Sequence, residues 1–217
     1  TFETRYPLFL WDAPGHGKSR PFSLDDMALF LQDILGKEKI IKPIFIGQIR
    51  RPMLFGALSP FPGGLIAIDS APLKRSYITA AELWLLKRTE LIYKSYPWKS
   101  LLNHGAKRVA KTKYGRRMMR EMMEEYTKDE FSSLACHGFR ILAETIALNR
   151  GYRIDCPCLL LCGSHDKAGS ARRYNRVWAR KEHLPLIWIP NAGHNVNADR
   201  PELVNAAIES FMQWISP

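Results

Sequence analysis

Residues 158–166 read Cys-Leu-Leu-Leu-Cys-Gly-Ser-His-Asp, and they indicate the fold more clearly than any other stretch. A short apolar run that ends in glycine is typical of a strand buried on both faces of a parallel sheet. The turn after it ends in Asp166, and open α/β sheets place their sites at the carboxyl ends of strands. Alone, such an aspartate is more often a turn or helix cap. The stretch therefore predicts a central strand followed by a candidate functional aspartate.

Similar apolar runs recur along the chain and alternate with amphipathic helical patterns. The predicted strands are 7–11, 43–47, 65–69, 158–163 and 186–190. The predicted helices between and after them are 24–36, 170–182 and 201–215. Because strands that alternate with helices favour parallel pairing, we predict an α/β fold with a mostly parallel sheet.

Residues 71–150 interrupt this alternation, since they hold helical patterns, notably over 79–93, 115–126 and 129–149, and no strand candidate. We predict a core formed by residues 1–70 and 151–217, with an all-helical insertion at 71–150. Aromatic and methionine residues of the insertion are expected to be mostly buried, either as ordinary core or as an apolar lining for a substrate pocket. The candidates for that lining are Trp84, Tyr93, Trp98, Met119 and Met122.

Composition restricts the class of protein further. The chain has 217 residues, of which 46% are hydrophobic and 24% charged, so it can bury one sizeable core and is neither disordered nor a coiled coil. The net charge is +11, and residues 71–150 hold 16 Lys or Arg against 8 Asp or Glu. A basic surface can attract nucleic acid or an anionic substrate, but no nucleic-acid-binding motif accompanies this one. We therefore favour a solvated helical surface and expect no nucleic-acid partner.

The four cysteines, Cys136, Cys156, Cys158 and Cys162, fit neither a zinc pattern nor a redox pair. No apolar run approaches the length of a membrane span, and the first residues lack the layout of a signal peptide. We expect reduced thiols, no metal or other cofactor, no membrane association and a cytoplasmic location.

A second candidate functional residue, His194, lies in the turn Asn-Ala-Gly-His-Asn at 191–195, directly after the last predicted strand. A lone histidine in a loop usually has no special role. Here, however, Asp166 precedes it by 28 residues, across one predicted helix and one predicted strand. That order places an acid and a base on adjacent strand ends, which is the acid–base half of a nucleophile–His–acid triad.

Three segments together resemble the signatures of α/β-hydrolase fold proteins, in the epoxide-hydrolase-like and esterase-like branch with a helical cap. The segments are Asp12-Ala-Pro-Gly-His-Gly-Lys-Ser19, Gly163-Ser-His-Asp166 and Gly193-His194, and the resemblance extends over about residues 7–215. It implies that Asp166 is the triad acid and His194 the general base. It also implies that residues 71–150 form a cap over the pocket of a small-molecule substrate. Asp69 stands where some members keep an alternative acid, and it ranks below Asp166.

The nucleophile of this family is a serine in a Gly-x-Ser-x-Gly turn that precedes the acid and the histidine. At that place residues 47–52 read Gly-Gln-Ile-Arg-Arg-Pro, so Ile49 occupies the nucleophile position and Arg51 replaces the second glycine. Isoleucine has no nucleophilic atom, and its β-branch opposes the positive φ of the turn. We therefore expect a hydrolase of ester or acyl-type small molecules whose nucleophile is lost in this chain. The alternative is a non-catalytic relative that binds a small apolar ligand or a partner in the capped cleft.

Two hypotheses accompany this departure from the family. Ile-Arg-Arg can be encoded ATC CGG CGG, and moving one base gives Ser-Gly-Gly, so a reading-frame slip across about residues 49–62 would explain the loss. Residue 1 lies just before what resembles the family's fourth strand. We therefore expect the earlier strands, and the loop that donates one oxyanion-hole N–H, to be missing from this chain.

Overall fold

The computed structural model of the chain describes residues 2–10, 24–48, 62–149, 151 and 154–215. Among these residues four strands form one sheet in the order β1-β2-β3-β4, and every neighbouring pair is parallel. The strands are β1 (Ile44–Gln48), β2 (Gly64–Ile68), β3 (Cys158–Gly163) and β4 (Leu186–Ile189). The predicted α/β class with a mostly parallel sheet is confirmed.

Successive residues of a strand point to opposite faces of the sheet. Both faces of this sheet carry apolar side chains, and helices pack on both. The described α-helices are α1 (Leu24–Lys37), α2 (Ala80–Lys87), α3 (Thr89–Ser95), α4 (Trp98–Val109), α5 (Lys113–Glu124), α6 (Lys128–Leu148), α7 (Ala171–Lys181), α8 (Val196–Asp199) and α9 (Pro201–Ile215). Leu65 of β2 lies in one buried cluster with Leu31 of α1 and Trp178 of α7. Its neighbour Ile66 lies in a second cluster with Phe211 of α9. The sheet is thus the middle layer of a three-layer core.

The strand predicted over residues 7–11 is wrong for residues 7–10, and residue 11 lies outside the described residues. None of the described strands pairs with this run, and Leu10 is 86% exposed. An apolar run forms a strand only where a neighbouring strand supplies hydrogen-bond partners. The residues at 7–10 therefore favour a strand by composition, but none of the described strands lies beside them to pair with.

A run of helices, α2 to α6, joins β2 to β3, and we call residues 80–148 the helical block. No strand is present among the described residues of 71–150, as predicted. The predicted helix 79–93 is divided at Arg88 into α2 and α3, and α4 was not predicted. The division of the chain into a core and a cap stays a prediction.

The expected burial of the aromatic and methionine residues is wrong for several of them. Trp84 is 56% exposed, and Met118 and Met122 are also exposed, whereas Met123 is fully buried. In α2 four large apolar residues follow one another at positions 83–86, and a helix can turn only part of such a run toward its core. Instead of being buried, the Trp84 ring lies under the Arg88 guanidinium. The Cζ atom of Arg88 is 4.2 Å from the centroid of the Trp84 ring.

All four cysteines are free thiols, as expected, and Cys136, Cys158 and Cys162 are buried. No described helix is both long and apolar enough to cross a membrane.

Candidate active site

Asp166 lies in a tight turn after β3, and its side chain is fully buried. The turn is closed by a hydrogen bond from its own backbone N–H to the carbonyl of Gly163, at 3.1 Å. Its Oδ1 accepts the backbone N–H of Ala168 at 2.7 Å. Its Oδ2 lies 2.9 Å from Nδ1 of His194. One oxygen is therefore held by the turn, and the other is held toward the histidine.

His194 is carried by a loop that returns from β4 across the ends of the other strands. The backbone N–H of His165 donates to the carbonyl of Ala192 at 2.9 Å, which fastens this loop to the Asp166 turn. At the far side, the Gln48 amide at the end of β1 donates to the carbonyl of His194 and, at 3.2 Å, to Oδ1 of Asn195. The loop therefore spans the carboxyl ends of the sheet, and the predicted contact between Asp166 and His194 is confirmed.

The contact with Asp166 favours one of the two neutral tautomers of the His194 ring. A carboxylate next to Nδ1 accepts an N–H from it, so the proton is placed on Nδ1 and Nε2 is left as the basic nitrogen. The His194 side chain is 28% exposed, in contrast to the buried aspartate. The arrangement can therefore accept a proton at Nε2 and stabilise the resulting imidazolium through Asp166.

Position 49 lies outside the described residues, as does the segment Asp12–Ser19. Its chain neighbour Gln48 is described, and it is the residue whose amide contacts the His194 loop. The strand that leads into the predicted nucleophile position thus ends beside the histidine. Ile49 itself remains a candidate on sequence grounds alone.

Asp199, which the sequence did not single out, connects the His194 loop to the helical block. Its Oδ2 accepts the N–H groups of Gly193 at 2.8 Å and of Lys111 at 2.7 Å. Its Oδ1 accepts the N–H and the hydroxyl of Thr112, at 2.8 Å and 2.6 Å. Burial alone raises the pKa of this carboxyl, but these hydrogen bonds outweigh it and the net pKa is lowered. No local motif marks the residue, because two of its partners lie 87 and 88 positions earlier in the chain.

Glu82 makes a second connection, between α2 and the start of α7. Its carboxylate accepts two N–H groups from Arg173, at 2.7 Å and 2.8 Å, and the hydroxyl of Ser170. Burial opposes ionisation, but the bonds from Ser170, Thr79 and Arg173 lower the pKa of Glu82 to about 2. A group whose pKa is lowered on folding contributes stability above its unfolded value and loses it as the pH falls toward 2.

Of the five residues predicted to line the pocket, Met119 is the one described beside the His194 loop. The Met119 sulfur accepts from the Asn195 amide at 3.8 Å, one residue from His194. Tyr93 and Trp98 instead pack on Phe131 of α6, with ring centroids 6.2 Å and 5.8 Å apart. The exposed Trp84 and Met122 make no described contact with the His194 loop.

At Gly163 the end of β3 lies close to the backbone of the His194 loop. A Cβ added to it would meet the carbonyl oxygen of Gly193 at 1.9 Å and that of Ala192 at 2.6 Å. We predict that Gly163→Ala lowers the free energy of unfolding by at least about 3 kcal/mol, since backbone atoms would have to move. Urea unfolding followed by circular dichroism measures this loss.

Gly36→Ala is the matched control for this substitution. Gly36 lies in α1, and an added Cβ would meet nothing within 4 Å. Alanine should therefore raise the free energy of unfolding by about 0.5–1 kcal/mol, through lower entropy of the unfolded chain. Equal losses in the two variants would contradict the close approach at Gly163.

Comparisons with known proteins agree with this architecture. A sequence search of curated proteins finds no match. Among solved structures, an esterase from Thermogutta terrifontis has a TM-score of 0.65 at 17% identity, covering 95% of this chain and 79% of that one. A bromoperoxidase from Bacillus anthracis has a TM-score of 0.66 at 15% identity, covering 93% and 80%. A hydrolase from Pseudomonas aeruginosa has a TM-score of 0.65 at 17% identity, covering 93% and 77%. At these identities the likeness concerns the fold.

The sequence itself matches the model of the alpha/beta hydrolase family over residues 2–207. The match includes both Asp166 and His194, and the parallel sheet agrees with it. The chain therefore belongs to the α/β-hydrolase family.

Proposed function

We propose that this site is built for the hydrolysis of ester or acyl-type small molecules by a nucleophile–His–Asp mechanism, and that the chain as written lacks the nucleophile. The observation that carries the proposal is the 2.9 Å contact between Nδ1 of His194 and Oδ2 of a fully buried Asp166. An acid and a base held this way are the two supporting members of a hydrolytic triad.

Each residue has a defined part in this chemistry. Nε2 of His194 takes the proton of an attacking hydroxyl, and it later returns that proton to the leaving group. Asp166 keeps the ring in the correct tautomer and stabilises the imidazolium. Because Ile49 occupies the nucleophile position, the base has no hydroxyl to activate there.

Ser59 and Ser70 are the serines nearest to position 49 in the sequence. Neither is suited to replace the missing nucleophile. Ser70 is 1% exposed, and its hydroxyl donates to the carbonyl of Ile68 at 2.9 Å. Ser59 lies outside the described residues, in a segment rich in proline. Proline removes backbone N–H donors and disfavours the helix that follows a nucleophile turn.

We also propose a class of substrate and a location for this chain. The Met119 contact beside His194 supports an apolar wall of the pocket formed by the helical block, with a small-molecule substrate. A cytoplasmic location is favoured by the four free thiols. No cofactor is needed for this mechanism.

A second candidate function, non-catalytic binding of a small apolar ligand in the same cleft, is favoured by Ile49 alone. The two functions differ in whether the Asp166–His194 pair transfers a proton in a reaction of the bound molecule. Under the second function, even the combined variant Ile49→Ser/Arg50→Gly/Arg51→Gly changes ligand affinity without creating a reactive site.

Hydrolysis of a short p-nitrophenyl ester tests the proposal. We predict that the unmodified chain releases p-nitrophenol no faster than His194→Ala or Asp166→Ala, since all three lack a nucleophile. Faster release by the unmodified chain that either substitution abolishes would show that the nucleophile lies elsewhere than position 49.

A further inference from the structure

Asp69 is a buried carboxyl group that the mechanism above does not use. It follows β2 with a backbone φ of 42°, and its Oδ1 accepts the N–H of Gly163 at 2.8 Å. Its Oδ2 is buried and has no hydrogen-bond partner within the described part of the chain. Because an unpaired buried oxygen is costly, this atom needs a physical explanation.

The Asp69 carboxyl lies against the Asp166–His194 pair. One oxygen from each aspartate and one ring nitrogen of His194 lie within 4.8 Å of one another. Both aspartates are only 5% exposed. Two ionised carboxylates repel strongly in such a place, and one retained proton removes that repulsion. Both oxygens of Asp166 have partners, Ala168 and His194, whereas Oδ2 of Asp69 has none in the described part of the chain. Asp69 is therefore the carboxyl with an oxygen left to carry a proton.

We propose that Asp69 is a protonated carboxylic acid that donates a hydrogen bond to the Asp166 carboxylate, and is thus a positioning residue behind the Asp166–His194 pair. The proton gives the unpaired Oδ2 a role as donor, while Oδ1 remains the acceptor for Gly163. The pair then carries a single negative charge, which faces His194. This inference deepens the proposed function, because it concerns how Asp166 is held for its work on the histidine.

The surroundings of Asp69 agree with this assignment. Burial, together with the charge of Asp166, raises the pKa of Asp69 to about 9, although the hydrogen bond from the backbone N–H of Gly163 opposes this rise. Burial also raises the pKa of the Cys162 thiol, so that group stays neutral. Among the described residues, the titratable groups that face Asp69 are therefore Asp166, Cys162 and His194. No described cation lies against the carboxyl to compensate a second negative charge.

The substitution Asp69→Asn distinguishes a protonated Asp69 from one that serves only as a hydrogen-bond acceptor for Gly163. Asparagine keeps an acceptor for Gly163 and a donor for Asp166, but it cannot ionise. Between about pH 4 and pH 9 the folded wild-type chain holds a proton that the unfolded chain releases, so its stability falls as the pH rises through this interval. The variant has no such loss.

Melting temperatures at two pH values measure the difference. We expect Asp69→Asn to melt within about 1 °C of wild type at pH 4.5 and at least about 4 °C above it at pH 8. Asp129→Asn, at an exposed aspartate of α6, is the control and should show no pH-dependent difference.

Three outcomes would overturn the inference. A variant that melts below wild type at pH 8 would show that Asp69 is ionised in the fold. A difference that does not change with pH would leave Asp69 as a structural acceptor only. A fall in the wild-type melting temperature on adding a chelator would show that a cation, rather than a proton, neutralises the two carboxylates. None of these readouts requires turnover, so a failure of ester hydrolysis leaves this test intact.

Discussion

Covalent labelling by a fluorophosphonate is expected only after the turn that follows Gln48 is rebuilt. Ile49→Ser alone should remain unlabelled, because Arg50 and Arg51 stay where small residues let the backbone turn. The combined variant Ile49→Ser/Arg50→Gly/Arg51→Gly should be labelled at position 49. Its new hydroxyl would follow β1, whose last residue already contacts the His194 loop. Mass spectrometry of the labelled peptide identifies the modified residue.

The labelling of the combined variant should depend on the acid–base pair. Adding His194→Ala should lower the labelling rate by about 10²–10⁴-fold, the usual contribution of a positioned general base. His183→Asn is the matched control, since His183 precedes β4 and so lies at the opposite end of that strand. Asparagine also tolerates the φ of 54° found there. Labelling that does not depend on His194, or that falls on a residue other than position 49, would contradict the assignment of position 49.

Asp199→Ala should cause a large loss of stability. It removes the acceptor of four hydrogen bonds, three of them from backbone N–H groups, and leaves those donors without their partner. Hydrogen bonds to a charged group contribute about 1.5–3 kcal/mol each, although the losses are not additive. We expect the free energy of unfolding to fall by more than about 3 kcal/mol, which lowers the melting temperature of a chain of this size by about 6–12 °C.

The loss at Asp199 should also depend on pH. The pKa of this carboxyl is lowered in the fold, so its contribution is fully present above the ordinary carboxyl value and is lost as the pH falls through the folded value. The difference between Asp199→Ala and wild type should therefore shrink below about pH 4. Asp129→Ala, at an exposed site, should cost less than about 0.5 kcal/mol at every pH. A similar small cost at Asp199 would show that its contacts do not hold the loop.

Local sequence was sufficient to predict most of the sheet and the central contact of the site. The runs at 158–163 and 186–190 are short, apolar and followed by polar turns, so their type and their limits were both evident. Once both were strands of a parallel sheet, the residues after them had to meet at one edge. The pairing of Asp166 with His194 followed from that topology.

Features that depend on distant partners were not predictable from local patterns. The run at 7–10 has the composition of a strand and no described strand beside it. Asp199 acquires its role only when α4 and α5 are placed against the His194 loop, which no local pattern specifies. The apolar run of α2 covers more than one helix face, so the sequence did not reveal that Trp84 faces outward. In each case the deciding contact is tertiary.

The tautomer of His194 in the unmodified chain tests the central claim most directly. Nuclear magnetic resonance of the chain with ¹⁵N-labelled histidine distinguishes a ring protonated at Nδ1 from one protonated at Nε2. We expect an Nδ1–H proton that exchanges slowly with water, an Nε2 nitrogen without a proton, and loss of the Nδ1–H signal in Asp166→Ala. A ring protonated at Nε2, or an Nδ1–H signal unaffected by Asp166→Ala, would contradict the claim that Asp166 holds His194 as a base.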